Sequence, residues 1–155
     1  CFYTDYPSIR KGILEYFSGI FKAARILNAR HVTLHTSGLP TFPLSGSDKN
    51  LFEKKYGEYY GRILYENLSH IIDDAGEIPL CVESYQCNNT TMGVLERFFD
   101  EKKSISLTWD FAKNHGNTEV EDFLKKHRSR IKEVHLHDMK IGQKTHLGLG
   151  LGDID

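Results

Sequence analysis

Apolar residues recur at helical spacing after Pro7 and Ser8, and this pattern ends at Asn28, which predicts an amphipathic helix. Similar spacing predicts further helices over about 48–74, 91–101 and 118–128. Short segments in which apolar and polar residues alternate lie between the helices, as is typical of strands. The predicted strands are residues 31–35, 78–83, 104–110 and 131–137.

Helices and strands therefore alternate along the chain. The last three predicted strands have centres near residues 81, 107 and 134, about 26 or 27 residues apart. That distance is the length of a strand followed by a crossover helix, the unit from which parallel sheets are built. The order predicts an α/β fold with a parallel sheet.

The alternation within the strands indicates which parallel architecture to expect. Leu80 and Val82 alternate with Cys81 and Glu83, whereas the central strands of a doubly wound sheet are apolar on both faces. One apolar face and one polar face are typical of a (β/α)8 TIM barrel, with helices outside and a lumen inside. A full barrel needs about 250 residues. We therefore expect residues 1–155 to be a single domain that forms an incomplete portion of such a barrel within a longer chain.

Ionisable residues stand at or near the carboxyl ends of all four predicted strands. Catalytic residues of TIM barrels are found at this end of the strands. Carboxylates and imidazoles together form a ligand set for a divalent ion such as Zn²⁺, Mn²⁺, Co²⁺ or Mg²⁺, and the lack of a Cys ligand favours a catalytic ion. The four strand-end residues are His35, Glu83, Asp110 and His135, with His137 and Asp138 close by.

Composition narrows the class of protein. The hydrophobic fraction of 39% is enough for a packed core, and no window approaches the roughly 18 apolar residues of a membrane span. With 20 basic and 21 acidic residues, the charge favours neither a nucleic acid nor an anionic membrane as partner. Cys1, Cys81 and Cys87 form no CxxC pair and are too few for a disulfide scaffold, so we expect a cytoplasmic protein.

Five segments of the chain resemble the xylose-isomerase-like TIM barrels. This superfamily contains sugar (phosphate) isomerases and epimerases and the endonuclease-IV-type AP endonucleases. The resemblance runs from about residue 10 to the end and covers what would be strand 3 to the loop after strand 7. Its most specific part is HLHD followed, eight residues later, by H-x-x-x-G-x-G-x-I. The segments are 31–38 (HVTLHTSG), 79–84 (PLCVES), 107–110 (LTWD), 131–138 (IKEVHLHD) and 146–154 (HLGLGLGDI).

The resemblance implies roles for individual residues. Glu83 matches a metal-binding glutamate, Asp110 a metal-binding aspartate, and His135 a metal-binding histidine of these barrels. His35 matches a histidine that faces substrate in the isomerases and binds metal in the endonucleases. Glu83 and His35 are accordingly the expected catalytic residues. The family's strand-8 glutamate has no counterpart in these residues. The expected substrate-binding residues are His35, His137, His146 and Lys113.

Two lysines depart from the endonuclease pattern. Lys113 stands where the family usually has a histidine, and Lys144 stands where the endonucleases have an aspartate. An ammonium repels bound cations, so both residues oppose a three-zinc site. They could instead neutralise a phosphate or carboxylate on a small substrate, or they could be solvated surface residues.

The leading hypothesis is a metal-dependent isomerase or epimerase of a small sugar, sugar phosphate or related polyol. Two glutamates, Glu83 and the absent strand-8 residue, would act as base and acid on an enediolate. The partner would be the small-molecule sugar, with no nucleic acid and no membrane, while a homo-oligomer is left open. The alternatives are an endonuclease-IV-type AP endonuclease and a sugar-binding barrel without catalysis.

Overall fold

A computed structural model of the chain describes residues 2–36, 38–39, 51–84, 87–101, 103–142 and 144–154, with the backbone alone at 144 and 145. The described residues form five α-helices and six strands. The helices are α1 (Pro7–Ile26), α2 (Leu51–Ala75), α3 (Asn89–Asp100), α4 (Phe111–Asn114) and α5 (Thr118–Lys126). The strands are β1 (Val32–Leu34), β2 (Leu80–Glu83), β3 (Ile105–Asp110), β4 (Ile131–His135), β5 (Asp138–Lys140) and β6 (Lys144–Leu147).

The first four strands form one parallel sheet in the order β1-β2-β3-β4. They are adjacent in chain order, and α2, α3 and the α4–α5 pair connect them. The predicted parallel α/β architecture is confirmed at this level. The predicted strands and long helices are present with ends shifted by a few residues; the predicted start of α2 at 48–50 lies outside the described residues.

The apolar residues of the strands share one face of the sheet. The register pairs Val32 with Leu80 and Leu80 with Ile105, and in the next apolar row Val82 pairs with Leu107. This face packs against apolar side chains of the helices, and burial of each large side chain contributes roughly 1.5–3 kcal/mol. Helix residues in this core with relative exposure of 0% are Phe21, Leu64, Leu68, Ile71, Leu95 and Phe98.

Polar residues occupy the opposite face in register. Cys81 pairs with Ser106, Glu83 with Thr108, and Asp110 with His135. Because parallel strands end at the same edge of a sheet, the ionisable residues at the ends of β2, β3 and β4 come together there.

A bulge in β4 preserves this arrangement across the last strand pair. Ile131 pairs with Leu107, but Glu133 rather than Lys132 pairs with Thr108. The bulge leaves Lys132 out of the pairing, so Ile131 stays against the apolar core while Glu133 faces the polar side. His135 then lies on the same face as Asp110.

The segment after β4 differs from the prediction. The predicted strand over 131–137 ends at His135, and the chain then forms an antiparallel hairpin of β5 and β6 that was not predicted. Asp138 explains the change of direction, because its buried carboxylate accepts hydrogen bonds from four backbone N–H groups. The donors are Met139 and Ile154 on Oδ1, at 2.8 and 3.2 Å, and Gly150 and Gly152 on Oδ2, at 3.1 and 2.7 Å.

Among the helices of the described residues, none has the length and apolar character needed to cross a membrane.

Candidate metal centre

Glu83 ends β2 with a side chain that is only 1% exposed. Three positively charged or hydrogen-bonding groups surround its carboxylate. His35 Nε2 lies 2.9 Å and His135 Nδ1 3.3 Å from Oε2, while Lys113 Nζ lies 3.4 Å from Oε1. A buried carboxylate requires such partners, so this residue is positioned by groups from the ends of β1 and β4 and from α4.

Asp110 ends β3 and also caps α4, where its Oδ1 atom accepts a hydrogen bond of 2.9 Å from the Lys113 backbone N–H. The Lys113 ammonium lies 3.2 Å from Oδ2 and His137 Nε2 lies 3.1 Å from Oδ1. Burial opposes ionisation of Asp110, but the hydrogen bonds and charge of Lys113 and the hydrogen bond from His137 outweigh burial. The pKa of Asp110 is therefore lowered from its ordinary value of 3.8.

Ser84 and Asn114 brace the two strand ends against each other. The Ser84 hydroxyl accepts a hydrogen bond of 3.0 Å from the Asp110 backbone N–H and contacts the Asn114 side-chain oxygen. The Ser84 backbone N–H donates to the Thr108 carbonyl at 2.8 Å, and the Asn114 amide donates to the Ser84 carbonyl at 3.3 Å. Both side chains are buried, so the network fixes the spacing between Glu83 and Asp110.

Glu83, Asp110 and His135 each offer one donor atom, and the three atoms lie within 4.8 Å of one another. Two carboxylate oxygens and one imidazole nitrogen suit Zn²⁺, Mn²⁺, Co²⁺ or Mg²⁺. The two carboxylates are almost fully buried, which favours a bound cation as their counter-charge. The residues present fit a divalent ion.

Lys113 places a positive charge beside this cluster. Its side chain is 13% exposed, and its ammonium contacts both Glu83 and Asp110. Burial opposes the charged form, but the hydrogen bond and charge of Asp110, followed by those of Glu83, outweigh burial and raise the pKa of Lys113. The expected substrate-binding lysine thus contacts the proposed metal ligands.

The three other predicted substrate-binding residues lie around the cluster at different depths. The His35 side chain is 56% exposed and contacts Glu83, so its ring is accessible to solvent. His137 is 12% exposed and stacks on His146 with ring centroids 4.5 Å apart. His146 has a φ of 60°, a value uncommon for residues other than glycine. The side chain of Lys144 lies outside the described residues.

Glu133 is a polar residue of this face that was not among the predicted site residues. Its Oε2 atom accepts hydrogen bonds from the Thr33 and Thr108 hydroxyls at 2.6 and 3.0 Å and lies 3.0 Å from His31 Nε2. Burial opposes its ionisation, but these hydrogen bonds outweigh burial and lower its pKa. Its position two residues before His135 places it on the same face, but it does not stand at a strand end.

A cleft of about 950 Å³ lies elsewhere, between α2 and α3. Gly57, Gly61 and Gly93 are among the residues that line it, together with charged side chains of the two helices. The groups that could hold an ion or transfer a proton are instead at the strand ends. The chemistry of the side chains, not the size of the cleft, therefore locates the candidate site.

Comparison with known proteins adds a likeness in structure. No family model matches the chain, and no curated protein matches it. The crystal structure of 3-keto-D-glucoside 4-epimerase, YcjR, from E. coli in its apo form is similar, with a TM-score of 0.64 and 14% sequence identity. The likeness covers 92% of this chain and 58% of that chain. At this identity the two chains share a fold over the matched region.

Proposed function

We propose that the chain forms the metal-binding part of an epimerase or isomerase acting on a small sugar, sugar phosphate or related polyol. The observation that carries the proposal is the convergence of Glu83, Asp110 and His135 within 4.8 Å at the ends of three adjacent parallel strands. The structural likeness to a sugar epimerase supports the substrate class. The resemblance to xylose-isomerase-like barrels supports the same reaction class.

The architecture that we propose is an arc of a (β/α)8 barrel. The one-sided apolar face, the polar opposite face and the strand-end donors all favour it. Thr33, Thr108 and Glu133 would then be lumen residues below the mouth, and Glu83, Asp110 and His135 would lie at the mouth itself.

Glu83, Asp110 and His135 would hold the ion. The chemistry that a bound divalent ion supplies is polarisation of a substrate carbonyl and its neighbouring hydroxyl, which lowers the barrier to removing the α-proton. Glu83 would accept that proton, and the contact of His35 Nε2 with its Oε2 atom at 2.9 Å would keep the carboxylate in place. His35 is exposed enough to move from Glu83 to a substrate oxygen. Return of the proton to the enediolate on its other face requires a second group, which the family resemblance assigns to the strand-8 glutamate.

The test combines metal binding with proton exchange. Zinc, manganese and cobalt are titrated into the wild-type protein and into Glu83→Gln and Glu83→Ala variants, and exchange of α-protons with D₂O is followed by NMR over a panel of keto-sugars and their phosphates. We expect one ion per wild-type chain, and loss of tight metal binding and of exchange in Glu83→Ala. Glu83→Gln separates the loss of charge from the loss of the side chain.

Three results would contradict parts of the proposal. Full exchange in Glu83→Ala would exclude the residue as ligand and base. Two or three tightly held zinc ions per chain would favour a phosphodiesterase of the AP endonuclease type. Binding of a sugar without any exchange by the metal-loaded protein would indicate a barrel that binds sugar without catalysis.

A further inference from the structure

We propose that Glu133 is a positioning residue that holds the His135 ring so that Nδ1 is free to bind the ion. This inference rests on the proposed metal centre and deepens it, because it assigns a role to a residue outside the predicted ligand set. It concerns the orientation and the tautomer of the histidine.

The two ring nitrogens of His135 face different carboxylates. Nδ1 lies 3.3 Å from Glu83 Oε2 and 4.0 Å from Asp110 Oδ2, whereas Nε2 lies 3.6 Å from Glu133 Oε2. A neutral imidazole carries one N–H, and the nitrogen that binds a metal must not be that one. Nδ1 points toward the carboxylates of Glu83 and Asp110, with which it forms the donor cluster. The proton of the ring therefore belongs on Nε2, where Glu133 is the acceptor.

A carboxylate behind a ligating histidine is a common device in metal sites. It fixes the ring and increases the basicity of the ligating nitrogen, and its loss typically weakens metal binding 10- to 100-fold. The separation of 3.6 Å between Nε2 and Glu133 Oε2 needs only a small ring movement to become a hydrogen bond when an ion draws Nδ1 toward the carboxylates.

Glu133 is itself held from three sides. The Thr33 hydroxyl donates from β1 at 2.6 Å and the Thr108 hydroxyl from β3 at 3.0 Å, and His31, just before β1, lies 3.0 Å away. All three contacts are to Oε2, the same oxygen that faces His135. The acceptor position is therefore set by neighbouring strands rather than by the rotamer of Glu133 alone.

A purely structural role for Glu133 would make a different prediction. In that case its removal would lower stability and leave the intrinsic metal affinity of the folded protein unchanged. The affinity and the tautomer of His135 distinguish the two roles, whereas stability does not.

The experiment compares Glu133→Leu and Glu133→Gln with the wild type and with a matched control, Glu96→Leu. Glu96 also pairs with a histidine, His127, at 3.0 Å, and its side chain is 37% exposed against 29% for Glu133. That pair joins α3 to the end of α5, away from the donor cluster. Zinc affinity is measured by competition with a chelator, and nitrogen-15 NMR of the zinc-loaded proteins reports which nitrogen of His135 binds the metal.

We expect Glu133→Leu to bind zinc about 10- to 100-fold more weakly than the wild type. Glu133→Gln should retain most of the affinity, because its amide oxygen can still accept from Nε2–H. Glu96→Leu should equal the wild type. In the zinc-loaded wild type, Nδ1 should bind the metal and the Nε2–H proton should exchange slowly with water.

Equal zinc affinity in Glu133→Leu and the wild type would overturn the inference and leave the metal centre standing. Should Glu133→Leu not fold, the wild-type NMR measurement decides alone, because zinc bound through Nε2 would overturn the role of Glu133. A wild-type protein that binds no ion would overturn the proposed function together with this inference.

Discussion

The Nε2 atom of His137 lies 3.1 Å from Oδ1 of Asp110, while the Lys113 ammonium contacts Oδ2 of the same carboxylate. The two groups hold the Asp110 side chain in the orientation that turns it toward Glu83 and His135. His137 is in turn covered by the ring of His146, which stacks on it.

Replacement of His137 by Phe should weaken binding of zinc or cobalt by about tenfold. Phenylalanine keeps an aromatic ring against His146 but cannot donate to Asp110, so the carboxylate loses one of its positioning hydrogen bonds. Chelator competition measures the change, and His115→Phe, at an exposed histidine of the turn after α4, is the control. An affinity equal to that of the wild type would show that Lys113 and the helix cap position Asp110 without His137.

Replacement of Lys113 by Met should strengthen binding of a divalent ion by about tenfold or more, because a tethered cation near the two carboxylates repels the incoming ion. The matched control is Lys125→Met, which removes a lysine whose side chain is 72% exposed and pairs with Asp122 on α5. Isothermal titration with Mn²⁺ or Zn²⁺ gives both affinities. Weaker binding in Lys113→Met would instead mean that the ammonium keeps the carboxylates together.

Replacement of Asp138 by Asn should lower the melting temperature at neutral pH, and the difference from the wild type should narrow in acid. Burial opposes ionisation of Asp138, but hydrogen bonds from the Gly152, Met139, Ile154 and Gly150 backbone N–H groups outweigh burial and lower its pKa from 3.8. A lowered pKa stabilises the folded state above pH 3.8, and this contribution is lost as the pH falls through the folded-state value.

Thermal unfolding of both proteins between pH 7 and pH 2.5 checks this prediction. Asp122→Asn, at an exposed aspartate of α5, should show no such pH-dependent difference from the wild type. A constant difference between Asp138→Asn and the wild type across this range would contradict the assignment of the stabilisation to the ionised carboxylate.

Replacement of Gly152 by Ala should destabilise the fold by about 2 kcal/mol or more, as expected where added atoms meet a packed backbone. A Cβ atom at Gly152 would collide with the Asp138 carboxylate and with the Met139 carbonyl oxygen. Gly12→Ala is the matched control, because a Cβ there meets no atom within 4 Å and alanine favours the helix by about 0.5–1 kcal/mol. Denaturant unfolding measures both, and equal stability of Gly152→Ala and the wild type would contradict the close packing of Gly152 against Asp138 and Met139.

The parallel sheet and the helices were predictable because their signals are periodic and long. Twenty residues of α1 follow one helical spacing, and the alternation in β3 extends over six residues. The convergence of Glu83, Asp110 and His135 followed from the parity of these strands and from their common direction, without any contact being known.

Other parts of the site depend on contacts between distant residues, which no local pattern encodes. Glu133 is recognisable as an acceptor shared by several strands only when Thr33, 100 residues earlier, is seen to donate a hydrogen bond to it. The β5–β6 hairpin similarly depends on backbone donors from Gly150, Gly152 and Ile154 that reach back to Asp138.

The bulge in β4 makes the chemistry of the site depend on the pairing register of the strand as well as on its side chains. Glu133 and His135 face the donor cluster because the bulge leaves Lys132 out of the pairing, so that Glu133 pairs with Thr108. If the same residues paired regularly from Ile131 onward, without the bulge, the pleat would aim Val134 at Asp110 and turn His135 toward the helices. A slip of one residue in the pairing would thus remove the imidazole from the cluster while every proposed ligand was still present in the strand.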